Sequence, residues 1–173
     1  MSSSYAAALG ASRTLLRIFR VFNLITGALL IAFLFASFVF EPVFQEFFTK
    51  RPPRIEPGLL IPALRIWLLL AAPIIAVIHV LLSRLLAMVE TVRAGDPFVS
   101  ENAARMKTIA WCMLGIQLFD LTCGVMAATM NAAGSNIDWS FNLTGWAAVA
   151  LLFVLARVFE EGARIRDHLE AMI

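Results

Sequence analysis

The chain has 173 residues, of which 61% are hydrophobic and 15% charged, against roughly 45–50% and 25% in an ordinary soluble domain. That balance excludes a soluble globular fold, and a formal net charge of +2 is too small to mark a nucleic-acid binder. The information lies in where the charges stand.

Four almost uncharged, Phe/Leu/Ala-rich stretches, 21–40, 66–82, 108–130 and 143–156, are divided by arginine-bearing segments. A helix crosses a hydrocarbon core of ~30 Å in about 20 residues. The first and third stretches supply that directly, and the second and fourth reach it if Arg65, Arg84 and Arg157 snorkel to the boundary. The expected fold is all-α: one transmembrane domain over 1–173, with spans near 18–40, 64–88, 108–130 and 143–158 packed as a four-helix bundle. A hairpin at 90–107 and a C-terminal helix at 159–173 extend the second, third and fourth helices into the cytoplasm. With both termini inside, ten of the fourteen Lys and Arg residues face the cytoplasm, so the positive-inside rule favours N-in and C-in. The first apolar run is longer than the roughly 7–15 residues of a signal-peptide core, and it reads as a retained span.

Before the first span, Arg13, Arg17 and Arg20 recur at helical spacing on one face and form a basic collar. Such a collar either fixes topology or meets anionic lipid, and topology is the commoner role. The loop 41–65 holds Pro42, Pro52, Pro53, Pro57 and Pro62, which argue against a long helix. Its Phe44, Phe47 and Phe48 suit a segment lying along the external membrane surface. Trp67 marks the outer boundary of the second span, as Trp139 and Trp146 do for the fourth. Pro73 should kink the second helix. Leu82, Leu85, Val89 and Val92 carry an apolar stripe beyond the lipid.

That helix stops at Arg93-Ala94-Gly95-Asp96-Pro97. Gly95 suits a left-handed C-terminal cap, Asp96 a new N-cap and Pro97 a first helical position, with Ser100 and Asn102 as further capping candidates. The third loop, 131–142, is short and polar, and its Asn142-Leu143-Thr144 sequon abuts the membrane. In the fourth helix Leu151, Leu155, Val158, Gly162, Ile165, Leu169 and Met172 form an unbroken heptad stripe that runs past the membrane, either as part of a partner surface or packed on the other cytoplasmic extensions. Pairs Glu160–Arg164 and Arg166–Glu170 fall at i, i+4.

Three polar groups stand inside the spans: His79 on the second, Gln117 and Asp120 on the third. Gln117 and Asp120 share a face. At 1.5 Å per residue His79 comes close to the depth of Gln117, roughly 13 Å from the inner boundary, so a hydrogen bond from His79 to Gln117 or Asp120 is geometrically reasonable. These groups form either a proton or ligand path or interhelical glue worth ~0.6 kcal/mol per contact. One acid and one histidine make a sparse path, which favours glue. Cys112 and Cys123 lie 11 positions apart on one helix, roughly 16 Å, too far for a disulfide. The chain has no HExxH, CxxC, phosphate loop or nucleophile elbow, so the expectation is a non-enzyme with no cofactor and no metal.

Two stretches carry a resemblance. Gly95-Asp96-Pro97-Phe98-Val99-Ser100-Glu101-Asn102 fits G-x-P-F-x-x-x-N, and Phe159-Glu160-Glu161-Gly162-Ala163-Arg164-Ile165-Arg166 fits F-x-x-G-x-x-[IL]-R. With four spans in a chain of this length, these resemble the bacterial membrane family known as domain of unknown function 2975 over about residues 15–170. The chain departs at Ala171-Met172-Ile173, where that family often ends in acidic residues followed by Thr-Val. The resemblance implies a bacterial inner-membrane protein without established activity, whose cytoplasmic face meets a small helix-turn-helix regulator rather than nucleic acid directly.

Together these readings give a regulatory or docking scaffold whose partner surface comprises Arg93, Asp96, Phe98, Asn102, Arg105, Glu160, Glu161, Gly162, Arg164 and Arg166. The alternative is a small carrier, working as a homo-oligomer, that uses His79, Gln117 and Asp120.

Overall fold

In the computed structural model, which describes residues 3–50, 57–96, 99–132 and 136–170, α-helix is the only regular structure among the described residues. The helices are α1 (Ser3–Val39), α2 (Glu41–Lys50), α3 (Pro57–Arg93), α4 (Ser100–Ala132) and α5 (Leu143–Glu170). Four of them contain stretches long and apolar enough to cross a membrane: Ala7–Val39, Ile61–Arg93, Ser100–Ala132 and Leu143–Arg166. The first three run to 33 residues, about 50 Å of helix, so they overshoot a ~30 Å hydrocarbon core.

The four long helices stand in chain order. α1 packs on α3, α3 on α4 and α4 on α5, while α1 and α5 do not pack on each other among the described residues. The bundle is therefore open along one side rather than closed into a ring. Successive long helices are antiparallel. Arg13 and Arg17 of α1 lie 3.3 and 3.8 Å from Glu90 near the end of α3, and Arg166 of α5 pairs with Asp96 just past that end. Both ends of the described chain thus meet the α3–α4 turn at one end of the bundle, the hairpin end. The basic collar is there largely engaged with Glu90.

The turn forms as its glycine demands. Gly95 has φ +90°, its N–H bonds the Val92 carbonyl, and the Asp96 N–H bonds the Thr91 carbonyl. This is the Schellman pattern that Gly serves without a Cβ penalty. α4 starts at Ser100, with the Asn102 N–H on the Val99 carbonyl, and Asp96 is turned to Arg166. Pro97 and Phe98 lie outside the described residues.

One expectation is corrected: the described residues of the segment 41–65 are helical, in α2 and in the opening turns of α3, which begins at Pro57 and carries Pro62 and Pro73 inside it. Proline is tolerated at a helix start because the first N–H groups have no acceptor there, and Pro62, just beyond, removes one bond from a ladder that has barely begun. The ring of Phe44 on α2 meets Phe33 of α1 edge-on at 5.5 Å.

The heptad stripe of α5 does not pack on the rest of the chain. Leu151, Leu155, Val158 and Ile165 are exposed, and Leu169 and Met172 lie outside the residues whose side chains are described. The face that meets α4 is a smaller-residue seam, with Val149, Ala156 and Ala163 buried and Leu152 and Phe159 partly so. The surface ion pairs of α5 are Arg157–Glu160 at 2.9 Å and Glu161–Arg164 at 2.7 Å, both at i, i+3 instead of the expected Glu160–Arg164. Arg166 reaches Asp96, and the side chain of Glu170 lies outside the described residues.

At the opposite end, Asn131 clamps the α4–α5 loop through two bonds with the backbone of Ile137, at 2.7 and 2.9 Å. Asn142 Oδ1 accepts the Gly145 N–H at 3.0 Å, the N-cap arrangement, so the sequon asparagine is committed to starting α5. Asn142→Ala should lower thermal stability in mild detergent by about 1 kcal/mol. Asn142→Asp, which keeps the acceptor, should not.

Candidate functional site

At the hairpin end, the polar residues that the sequence suggested for partner contact divide into two sets. One set is turned inward. Asn102 is fully buried; its Nδ2 donates to Thr91 Oγ1 at 2.7 Å, and its Oδ1 accepts from Arg105 at 2.7 Å. Thr91 in turn donates to the Met88 carbonyl. A chain of bonds therefore joins the last turn of α3 to the first turns of α4. Asp96 and Arg166 add a second tie, from the turn to α5, and Glu90 ties α3 to α1. Buried polar groups must be bonded to be tolerated, and these bonds cross-brace the four helix ends.

The second set faces outward. Arg93, Glu160, Glu161 and Arg164 are exposed, and Gly162 is half-buried beside them. Exposed ion pairs such as those along α5 contribute little to stability, so their charges stay available to a partner.

Between the start of α4 and the later turns of α5 lies a cleft of about 530 Å³, within the roughly 300–1,000 Å³ typical of ligand sites. Its floor is made of small residues, Ala103, Ala104, Ala156 and Ala163. Ser100, Lys107, Arg157, Glu160 and Arg164 rim it, and Phe153 closes its deep end. Phe153 meets Trp111 of α4 edge-on, with centroids 5.3 Å apart. In the sequence Lys107 and Arg157 mark span boundaries, and the alanines of the cleft floor carry no signal of their own.

Inside the spans the three expected groups do not converge. No hydrogen bond joins His79 to Gln117 or Asp120, and neither His79 Nδ1 nor Gln117 Nε2 has a partner although both are buried. The Gln117 amide lies against Gly145 of α5, so closely that a Cβ at that position would collide with it. Gln117 therefore faces α5, and a side chain at Gly145 would displace its amide. Elsewhere on α4, Gly124 is covered by the indole of Trp139, and Gly115 has no neighbour within 4 Å of its Cβ direction. Among the described residues no three His, Cys, Asp or Glu side chains are grouped so as to hold a metal.

Two polar connections within the membrane-spanning helices were not anticipated. Asn23 of α1 is buried and donates to the Ile75 carbonyl of α3 at 3.1 Å. Arg65, expected only to snorkel, is largely buried. Its Nε donates to Ser37 Oγ at 3.3 Å, its Nη2 donates to the Ser37 carbonyl and to Glu41 at 3.0 Å, and its guanidinium lies 4.1 Å from the Phe38 ring centroid. A lone Asn within an apolar run and a lone Arg at a helix start were the available signals.

Four antiparallel helices of this length and hydropathy, joined at their ends by polar ties, define a multi-pass helical membrane protein. No protein-family model, curated protein or solved structure matches the chain.

Proposed function

We propose that the protein is a non-enzymatic docking scaffold of a bacterial inner membrane, with the hairpin end in the cytoplasm and both termini inside. The observation that carries this reading is the division of polar residues at that end. Asn102, Asp96, Glu90 and their partners brace the four helices against one another, while Arg93, Glu160, Glu161 and Arg164 are left outward on a surface that the braces hold in place. A preorganised charged surface binds with less ordering cost than a loose one. The resemblance to domain of unknown function 2975 supports a small helix-turn-helix regulator as the partner, bound as protein and not through nucleic acid.

The carrier reading draws on the unpartnered Nδ1 of His79 and Nε2 of Gln117. It has less support, because the groups do not join and the Gln117 amide is turned to α5.

The test is affinity purification of the full chain in mild detergent, with paired variants. Glu160→Lys with Glu161→Lys should weaken retention of a stoichiometric cytoplasmic protein by ~10-fold or more through like-charge contact, with little change in melting temperature. Asp120→Asn should retain the partner. Capture unaffected by the double reversal but lost with Asp120→Asn would overturn the docking reading, and reporter fusions placing residue 170 outside the cell would overturn its orientation.

A further inference from the structure

We infer that the α4–α5 cleft is a binding site for the phosphate-bearing headgroup of an anionic phospholipid, in the leaflet on the hairpin side. The inference stands apart from the docking reading, although Glu160 and Arg164 belong to both surfaces.

The chemistry comes from the rim. Lys107, Arg157 and Arg164 place three cations around the cleft against the single carboxylate of Glu160. Arg157 is paired with Glu160, and Arg164 with Glu161 outside the cleft. Both pairs are exposed and i, i+3, the kind that contributes little and yields to a stronger anion. Lys107 has no ion-pair partner among the described residues. Ser100 supplies a hydroxyl in the first turn of α4, where the positive end of a long helix dipole adds to the field. The cleft therefore suits a phosphodiester, which accepts from arginine and lysine alike.

Position narrows the source of that phosphate. Residues 108–119 of α4 and 143–156 of α5 carry no charge, so Lys107 and Arg157 stand where each helix leaves the hydrocarbon, at headgroup depth. At the end towards the hydrocarbon the cleft is lined by Phe153, whose ring meets the exposed Trp111 edge-on. A headgroup seated among the cations has its acyl chains directed past those two rings into the hydrocarbon. One amphiphile satisfies both surfaces, whereas a water-soluble anion leaves the apolar half uncovered. Basic pockets between helices at this depth are a recurrent form of anionic-lipid recognition.

The full chain reconstituted in nanodiscs of equal phosphatidylglycerol and phosphatidylcholine, then released and weighed by native mass spectrometry, tests the assignment. Each cation near an anionic headgroup gives roughly a fivefold gain before screening, so phosphatidylglycerol should be retained over phosphatidylcholine by about tenfold. Lys107→Gln with Arg157→Gln should bring that ratio close to one. Ala104→Leu, which fills the cleft at an exposed position without altering charge, should do the same. Arg20→Gln with Arg93→Gln, cations outside the cleft, should leave the preference intact, and excess glycerol 3-phosphate should not displace the lipid. No preference in the unaltered protein, an unchanged ratio in both cleft variants, or an equal loss in the Arg20 and Arg93 variant would overturn the site. Displacement by glycerol 3-phosphate would overturn its assignment to a lipid.

Discussion

Arg65→Met lowers the stability of the folded protein by about 2–3 kcal/mol in mild detergent, the range for removing one charged partner from a largely buried network. The methionine fills a similar volume, so the loss comes from bonds and not from a cavity. Ser37 is fully buried and loses the donors to its hydroxyl and its carbonyl. Glu41 loses its cation, and α2 loses the tie that anchors it to the start of α3. Arg65→Lys should recover less than half of the loss, because an ammonium cannot reach Ser37 and Glu41 together while lying flat on Phe38. Glu41→Gln should matter least, since the carboxylate is about half exposed and surface pairs are weak. Thermal unfolding of the three variants orders them as Met, then Lys, then Gln from most to least harmful. A Met variant as stable as the parent would show that the network is incidental.

The overall fold was readable because the strongest constraint on it is local. Long uncharged runs must be helices in a bilayer, since every backbone group has to be bonded within its own segment. Gly95 was readable for the same reason: a left-handed residue at a helix end is a one-residue requirement. Which face packs is harder to read from sequence. In water the largest apolar stripe of a helix faces the core. In lipid, large apolar residues are at ease outside, and small ones let helices approach. The Leu151–Leu155–Val158–Ile165 stripe followed the first rule and proved exposed, while Val149, Ala156 and Ala163 followed the second and form the seam.

The candidate site was less readable because its ties are long in sequence. Asn23 bonds a carbonyl 52 residues away, Arg65 meets Ser37 28 residues away, and Arg166 meets Asp96 70 residues away. Asp96 and Asn102 both have side chains suited to helix caps, and a local reading assigns them to caps. Both also have partners on other elements, Asp96 in Arg166 and Asn102 in Thr91, that a local reading does not supply. The prolines of the loop 41–65 misled in the opposite sense: Pro57 reads as a breaker from within a helix and as a starter at its first position.

Asn102 is where that confusion can be put to measurement. As a direct partner contact, its replacement would weaken capture and leave the fold alone. The side chain is fully buried and joins Thr91 to Arg105, so the opposite is expected. Asn102→Leu, with the same branched four-atom side chain but no polar atoms, should destabilise the protein by about 2–3 kcal/mol by stripping the part-buried Thr91 hydroxyl of its donor and Arg105 of its acceptor. Arg105→Gln should cost no more than about half as much, because glutamine can still donate to Asn102 and the Thr91 bond is untouched. Any loss of partner capture by Asn102→Leu should follow the melting curve and return when the sample is cooled well below its midpoint. Capture abolished in a fully folded Asn102→Leu protein would place this residue on the docking surface after all, and the α3–α4 turn would then have to open for the partner to reach it.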